Sequence, residues 1–144
     1  MTLLLDVNLL LILHDPLHLH YGLVSQWFAQ RAGNSFATCP ITQSGFLRLL
    51  IRGVPGLAPY GMQEARDALN HLILQSGHVY WPDDPSYLDA TRILFARMQG
   101  HRQITDAYLL GLAVHNKGKL ATLDRGICHL AGREFAACVE VIEK

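Results

Sequence analysis

The sequence predicts an α/β fold: a three-layer α/β/α sandwich around a central, mainly parallel sheet. One observation is a pair of short apolar runs without polar alternation, at residues 3–5 and 120–123, as strands covered on both faces require. Another is that helix-like segments separate the strand-like ones, with no hairpin turn joining neighbouring strands. At 144 residues, half of them hydrophobic, the chain suits one domain spanning 1–144 with a single core.

After the first run, residues 7–13 fit helix or strand equally by pattern, and Asp15 and Pro16 stop them. Residues 21–31 place Val24, Trp27 and Phe28 at helical spacing, with Gly33 and Asn34 closing that helix ahead of a short strand near 35–38. A helix over 41–51, with Thr42 in its early turn, leads into the Pro/Gly-rich loop 53–61. Residues 62–75 are amphipathic, Ala65, Leu69 and Leu72 lying opposite Glu64 and Asp67. A strand at 78–81 follows, and Asp84 and Pro85 suit the cap and first position of a helix reaching Met98. Thr105 is the expected cap of a helix running to Gly118, before a strand at 120–123 and a last one at 135–142.

Twelve basic and twelve acidic side chains cancel, so bulk charge does not argue for nucleic-acid binding. If three acids are taken up by cations, however, the remaining surface is net positive, with Arg48, Arg52, Arg97, Arg102, Lys117, Lys119, Arg125 and Arg133 available to a polyanion. Cys39, Cys128 and Cys138 are odd in number and lack CxxC spacing, so they read as reduced, mostly buried thiols. No apolar run reaches the ~20 residues of a membrane helix, and Asp6 and Asn8 interrupt the apolar N-terminus before it resembles a signal peptide. A soluble, cytoplasmic protein is expected.

The chemistry concentrates in three aspartates. Asp6 ends the first apolar run, Asp124 ends the second, and Asp106 opens a helix. In a parallel sheet, functional groups gather at the carboxyl ends of strands, and carboxylates brought together call for a compensating cation. Each acid also has a plain structural role open to it: Asp6 as a cap, Asp106 beside a helix dipole, Asp124 in an Asp-Arg-Gly turn. The histidines His14, His18 and His20 do not read as a metal site, because Pro16 keeps the first pair off an ordinary helical turn and no HExxH spacing occurs. His101 and Arg102 read as solvent-exposed rather than as phosphate contacts. Tyr21, Trp27, Phe28, Phe46 and Phe95 fit core or dimer packing better than base stacking.

Three patterns carry a resemblance: Leu4-Leu5-Asp6-Val7-Asn8, Ile104-Thr105-Asp106-Ala107-Tyr108-Leu109, and Ala121-Thr122-Leu123-Asp124-Arg125. With Phe46-Leu47-Arg48 following Ile41-Thr42, they make the whole chain resemble a PIN domain, more narrowly the PIN-domain toxin of bacterial VapBC toxin–antitoxin pairs. The resemblance implies a metal-dependent endoribonuclease in which Asp6, Asp106 and Asp124 hold Mg²⁺ or Mn²⁺, with Asn8, Thr122 and Gln43 in support. It also implies a cognate antitoxin and a homodimer, and the segment carrying Arg48 and Arg52 is a candidate partner surface. One departure stands out. The family pattern usually carries a Glu three residues after the Thr, where this chain has Gly45, and Gln43 is the nearest oxygen ligand. That departure keeps open a PIN-like module that binds RNA or protein without cutting. A phosphohydrolase using Asp6 as an aspartyl-phosphate nucleophile ranks lower, since Asn8 stands where such enzymes want a second acid.

Overall fold

A computed structural model describes residues 1–32 and 35–143. Strands β1 (Leu3–Leu5), β2 (Phe36–Thr38), β3 (His78–Tyr80), β4 (Lys119–Thr122) and β5 (Val139–Val141) form one sheet in the order β3-β2-β1-β4-β5. Every pairing is parallel, with Leu5 beside Ala121 and Thr122 beside Val141. Alternate side chains of β1 point to opposite faces, and both faces are covered, which is why the run is apolar throughout. Leu3 and Leu5 pack with α1 (Val7–His14), α2 (Tyr21–Trp27), α3 (Pro40–Arg52) and α4 (Met62–Ile73). Leu4 and Leu120 pack on the other face with α6 (Ile104–His115) and α7 (Ile127–Ala131), beside the short α5 (Tyr87–Ala90).

The stretch left undecided after Asp6 is helical. It ends where expected: Asp15 accepts the Leu17 N–H at 3.1 Å, a local turn that competes with the helix. The α2 helix runs on into a π-helical turn, Phe28–Ala32, and the expected closing residues Gly33 and Asn34 lie outside the described residues. Pro40 opens α3, where its missing N–H costs nothing, and the Thr42 hydroxyl accepts the Cys39 N–H at 3.0 Å. Gly53 ends that helix at φ 88°, a conformation that favours glycine.

Several expectations were wrong. The helix expected from Asp84 to Met98 is broken. Ser86, not Asp84, caps it by accepting the Asp89 N–H, and it ends at Ala90 because the buried Thr91 hydroxyl donates back to the Tyr87 carbonyl at 2.7 Å. A separate 3₁₀ turn covers Leu94–Arg97. Thr105 is not a cap, since the 3₁₀ turn His101–Gln103 feeds directly into α6 and Gln103 takes that place. The α7 helix was not foreseen, and the last strand is shortened by a 3₁₀ turn at Ala136–Cys138. Cys39 is buried but Cys128 is exposed, and Phe95, at 52% exposure, does not belong to the core.

Two devices hold the layers in register. Glu140 on β5 accepts from Trp27 Nε1 at 2.6 Å and pairs with Arg31 at 2.5 Å, fastening the α2 segment to the sheet edge. Gly111 lets α6 lie directly against the end of α5: a Cβ there would sit 2.2 Å from the Ala90 carbonyl oxygen. A helix-interior Gly→Ala change ordinarily gains roughly 0.5–1 kcal/mol. Gly111→Ala is expected to do the reverse, losing at least about 1–3 kcal/mol to overpacking, read as a lower midpoint in urea unfolding.

Candidate active site

The strand order places a topological switch between β1 and β4. The chain leaves β1 toward one helical layer and leaves β4 toward the other, so a crevice opens at the carboxyl ends of these two strands. Asp6 is the first residue beyond β1, and Asp124 lies two beyond β4. The Thr122 hydroxyl joins them: it donates to Asp6 Oδ2 at 2.9 Å and accepts the Asp124 N–H at 3.0 Å. Asp6 stands at the N-cap of α1 yet makes no side-chain cap bond, its carboxylate being turned toward Thr122. Asp124 Oδ1 accepts the Gly126 N–H at 2.8 Å, so the expected Asp-Arg-Gly turn is also present.

Asp106 arrives from α6, in its first turn. Two tyrosines set the position of that helix end. Tyr87 donates to the Ile104 carbonyl at 2.7 Å, Tyr108 donates to the Pro85 carbonyl at 2.9 Å, and their rings stack at 5.8 Å. Neither was singled out from sequence, because only the packing of α5 on α6 reveals the pairing.

Asp6 and Asp106 both sense their carboxylate neighbours. Burial, then the charges of Asp6 and Asp124, raises Asp106 from the ordinary 3.8 to about 6. Burial and the Asp124 charge also raise Asp6, against the pull of the Thr122 hydroxyl and the Val7 and Asn8 amides. No basic side chain relieves this among the described residues, whose ion pairs are Arg31–Glu140, Arg92–Asp89, Arg97–Glu134 and Arg125–Glu143. Nor do any three His, Cys, Asp or Glu side chains there converge as a ready-made cage. An all-oxygen set of this kind still suits a hard cation, since Mg²⁺ uses one or two protein carboxylates and completes its octahedron with water and substrate phosphate.

The supporting residues divide. Thr122 is buried between the two acids it joins. Asn8 is exposed in the first turn of α1 and lines a groove with Asp124. Gln43 makes its hydrogen bond elsewhere, donating at 3.0 Å to Thr38, whose hydroxyl also meets His78 Nε2 at 2.8 Å. At Gly45 a Cβ would lie 2.8 Å from Val7 Cγ2. Val7 therefore fills the space an acid at 45 would need, and the glycine is a packing feature of α3 against α1.

Fold and site together define a three-layer α/β protein with an acidic edge at its switch point. The PIN domain family model matches residues 3–133. The chain is 40% identical over 132 residues to ribonuclease VapC29 of Mycobacterium tuberculosis, covering 92% of each. It is 34% identical to ribonuclease VapC39 of the same species, over 99% of this chain and 100% of that one. Among solved structures, VapBC2 from Rickettsia felis, bound to a DNA fragment from its promoter, matches with a TM-score of 0.58 at 11% identity, over 99% of this chain and 100% of the other; this likeness speaks for the fold. The chain belongs to the PIN domain family, and within it to the VapC ribonucleases.

Because the folded state holds Asp106 above its ordinary value of 3.8, it keeps a proton that the unfolded chain has released. Stability of the metal-free protein therefore falls as pH rises from about 4 through about 6. Asp106→Asn removes this term. In EDTA, the variant is expected to melt above the wild type at neutral pH and level with it below about pH 4, a difference read by thermal scans across pH.

Proposed function

We propose that the chain is a metal-dependent endoribonuclease, the toxin of a type II toxin–antitoxin pair. It would act in the cytoplasm as a homodimer restrained by a cognate antitoxin. The observation that carries this reading is the set of three aspartates at the switch point, two of them joined through Thr122, with no basic side chain of the described residues paired with them. The names of the relatives, VapC ribonucleases, support the reaction, and the VapBC2 complex of the structural neighbour supports the antitoxin. Exposed Leu88, Ile93 and Phe95 offer apolar surface for a second copy. No helix of the described residues is long and apolar enough to cross a membrane.

Asp6 and Asp106 would hold the Mg²⁺ or Mn²⁺ ion. Bound there, the ion supplies Lewis acidity toward the scissile phosphate and the attacking water. Thr122 keeps Asp6 oriented for it, as partners of ligating carboxylates do. Asp124, exposed at the mouth of the crevice, orients the water or accepts its proton. The glycine at 45 is accounted for by packing, because Val7 takes up that space.

The test is cleavage of total RNA by the purified, antitoxin-free protein. With Mg²⁺ or Mn²⁺, discrete cuts are expected that EDTA abolishes. Asp6→Ala and Asp106→Asn should each lower the rate at least about a hundredfold, because the lost contribution is several kcal/mol. A folded wild type that cuts no RNA with either metal would instead leave a binding module.

A further inference from the structure

Beside the acidic edge lies a groove of about 770 Å³ whose lining includes Asn8 and Asp124. It runs between α1, the end of α3 and the loop that follows Gly53, and its apolar floor includes Leu11, Leu49 and Val54. Its charged lining residues include Arg52 and Arg125 with His18 and His20, and its carboxylates are Asp15 and Asp124.

We infer that this groove is a binding track for the RNA strand flanking the cut, with Arg52 and His18 as contacts for a neighbouring phosphate. The inference rests on the ribonuclease reading above. Two features of the lining favour a polyanion. Arg52 gives only its Nε to the chain, to the Gly53 carbonyl at 3.4 Å, and its terminal nitrogens have no partner among the described residues. His18 Nδ1 accepts the His20 N–H at 3.0 Å, so the neutral ring carries its proton on Nε2 and is a donor there. Two donors are thus free to meet a phosphate, and the apolar lining suits a base or ribose.

Continuity decides between partners. Asn8 and Asp124 line the groove, so a strand lying in it adjoins the acidic edge. Arg48, one turn back on the same face of α3, donates to Ser44 and does not line the groove. The sequence had grouped the two arginines as one partner surface. The groove gives Arg52 to the nucleic acid.

The test uses a short oligoribonucleotide spanning a mapped cut, bound by the full-length protein in Ca²⁺ and cleaved in Mn²⁺. Arg52→Met and His18→Leu are each expected to weaken binding about tenfold, as loss of a charge-assisted contact would. Arg52→Met should also flatten the log–log salt dependence by about 0.7, one single-strand phosphate. Neutral methylphosphonate linkages, walked one at a time along the strand, should weaken wild-type binding most at one linkage beside the cut, and that penalty should vanish in Arg52→Met. If wild type cuts the RNA while both variants bind it unchanged at the same salt slope, the track is overturned and the nuclease reading stands. If the variants lose a co-purified antitoxin but keep RNA binding, the groove belongs to the protein partner and the track is likewise overturned. If wild type neither binds nor cuts any RNA, both readings fall.

Discussion

The arrangement depends on one hydroxyl. Thr122 closes β4 and reaches across to Asp6, at the end of the neighbouring strand, while its oxygen receives the amide of Asp124. Two acids more than a hundred residues apart in sequence are thereby held by a single buried atom. Parallel pairing makes this possible. With Leu5 beside Ala121, the residues just past β1 and β4 emerge at the same edge, and the change in winding direction between them leaves the space open.

Such an edge is electrostatically unfavourable for the folded chain. Burial and like charges disfavour the ionised forms of Asp6 and Asp106, and no arginine or lysine pairs with them among the described residues. The remainder of the molecule resists this strain through packing: Leu4, Leu5, Phe36 and Leu120 are essentially withdrawn from solvent, Glu140 fastens α2 to the outer strand, and the Tyr87–Tyr108 stack fixes the start of α6 behind Asp106. Carboxylates that stabilised the fold would be paired. Among the described residues these carry no ion pair, which supports the metal-holding role proposed for them.

Much of this was legible in the sequence because it is local. Unbroken apolar runs reveal buried parallel strands, and an acid at the end of such a run falls at a carboxyl edge. Asp6 and Asp124 were found in that way, Asp106 as an acid opening a helix, and Thr122 through the family resemblance. Helix limits after Tyr80 were misread, since Thr91 ends α5 by bonding backward and Gly111 serves a contact from another element, neither visible in periodicity. Position 45 shows the same limit. From sequence the glycine reads as a missing acid, and only the approach of Val7 explains it. The groove was invisible for a similar reason, as His18, Arg52 and Arg125 come from three separate segments.

If Thr122 holds Asp6 in place for a cation, removing its hydroxyl weakens the site. Calorimetric titration of Mn²⁺ into wild type and Thr122→Val reads this, valine having the shape of threonine without the hydroxyl. A folded variant is expected to bind about 10–100-fold more weakly. Equal affinity in the two proteins, or a folded wild type that takes up no Mn²⁺, would contradict it.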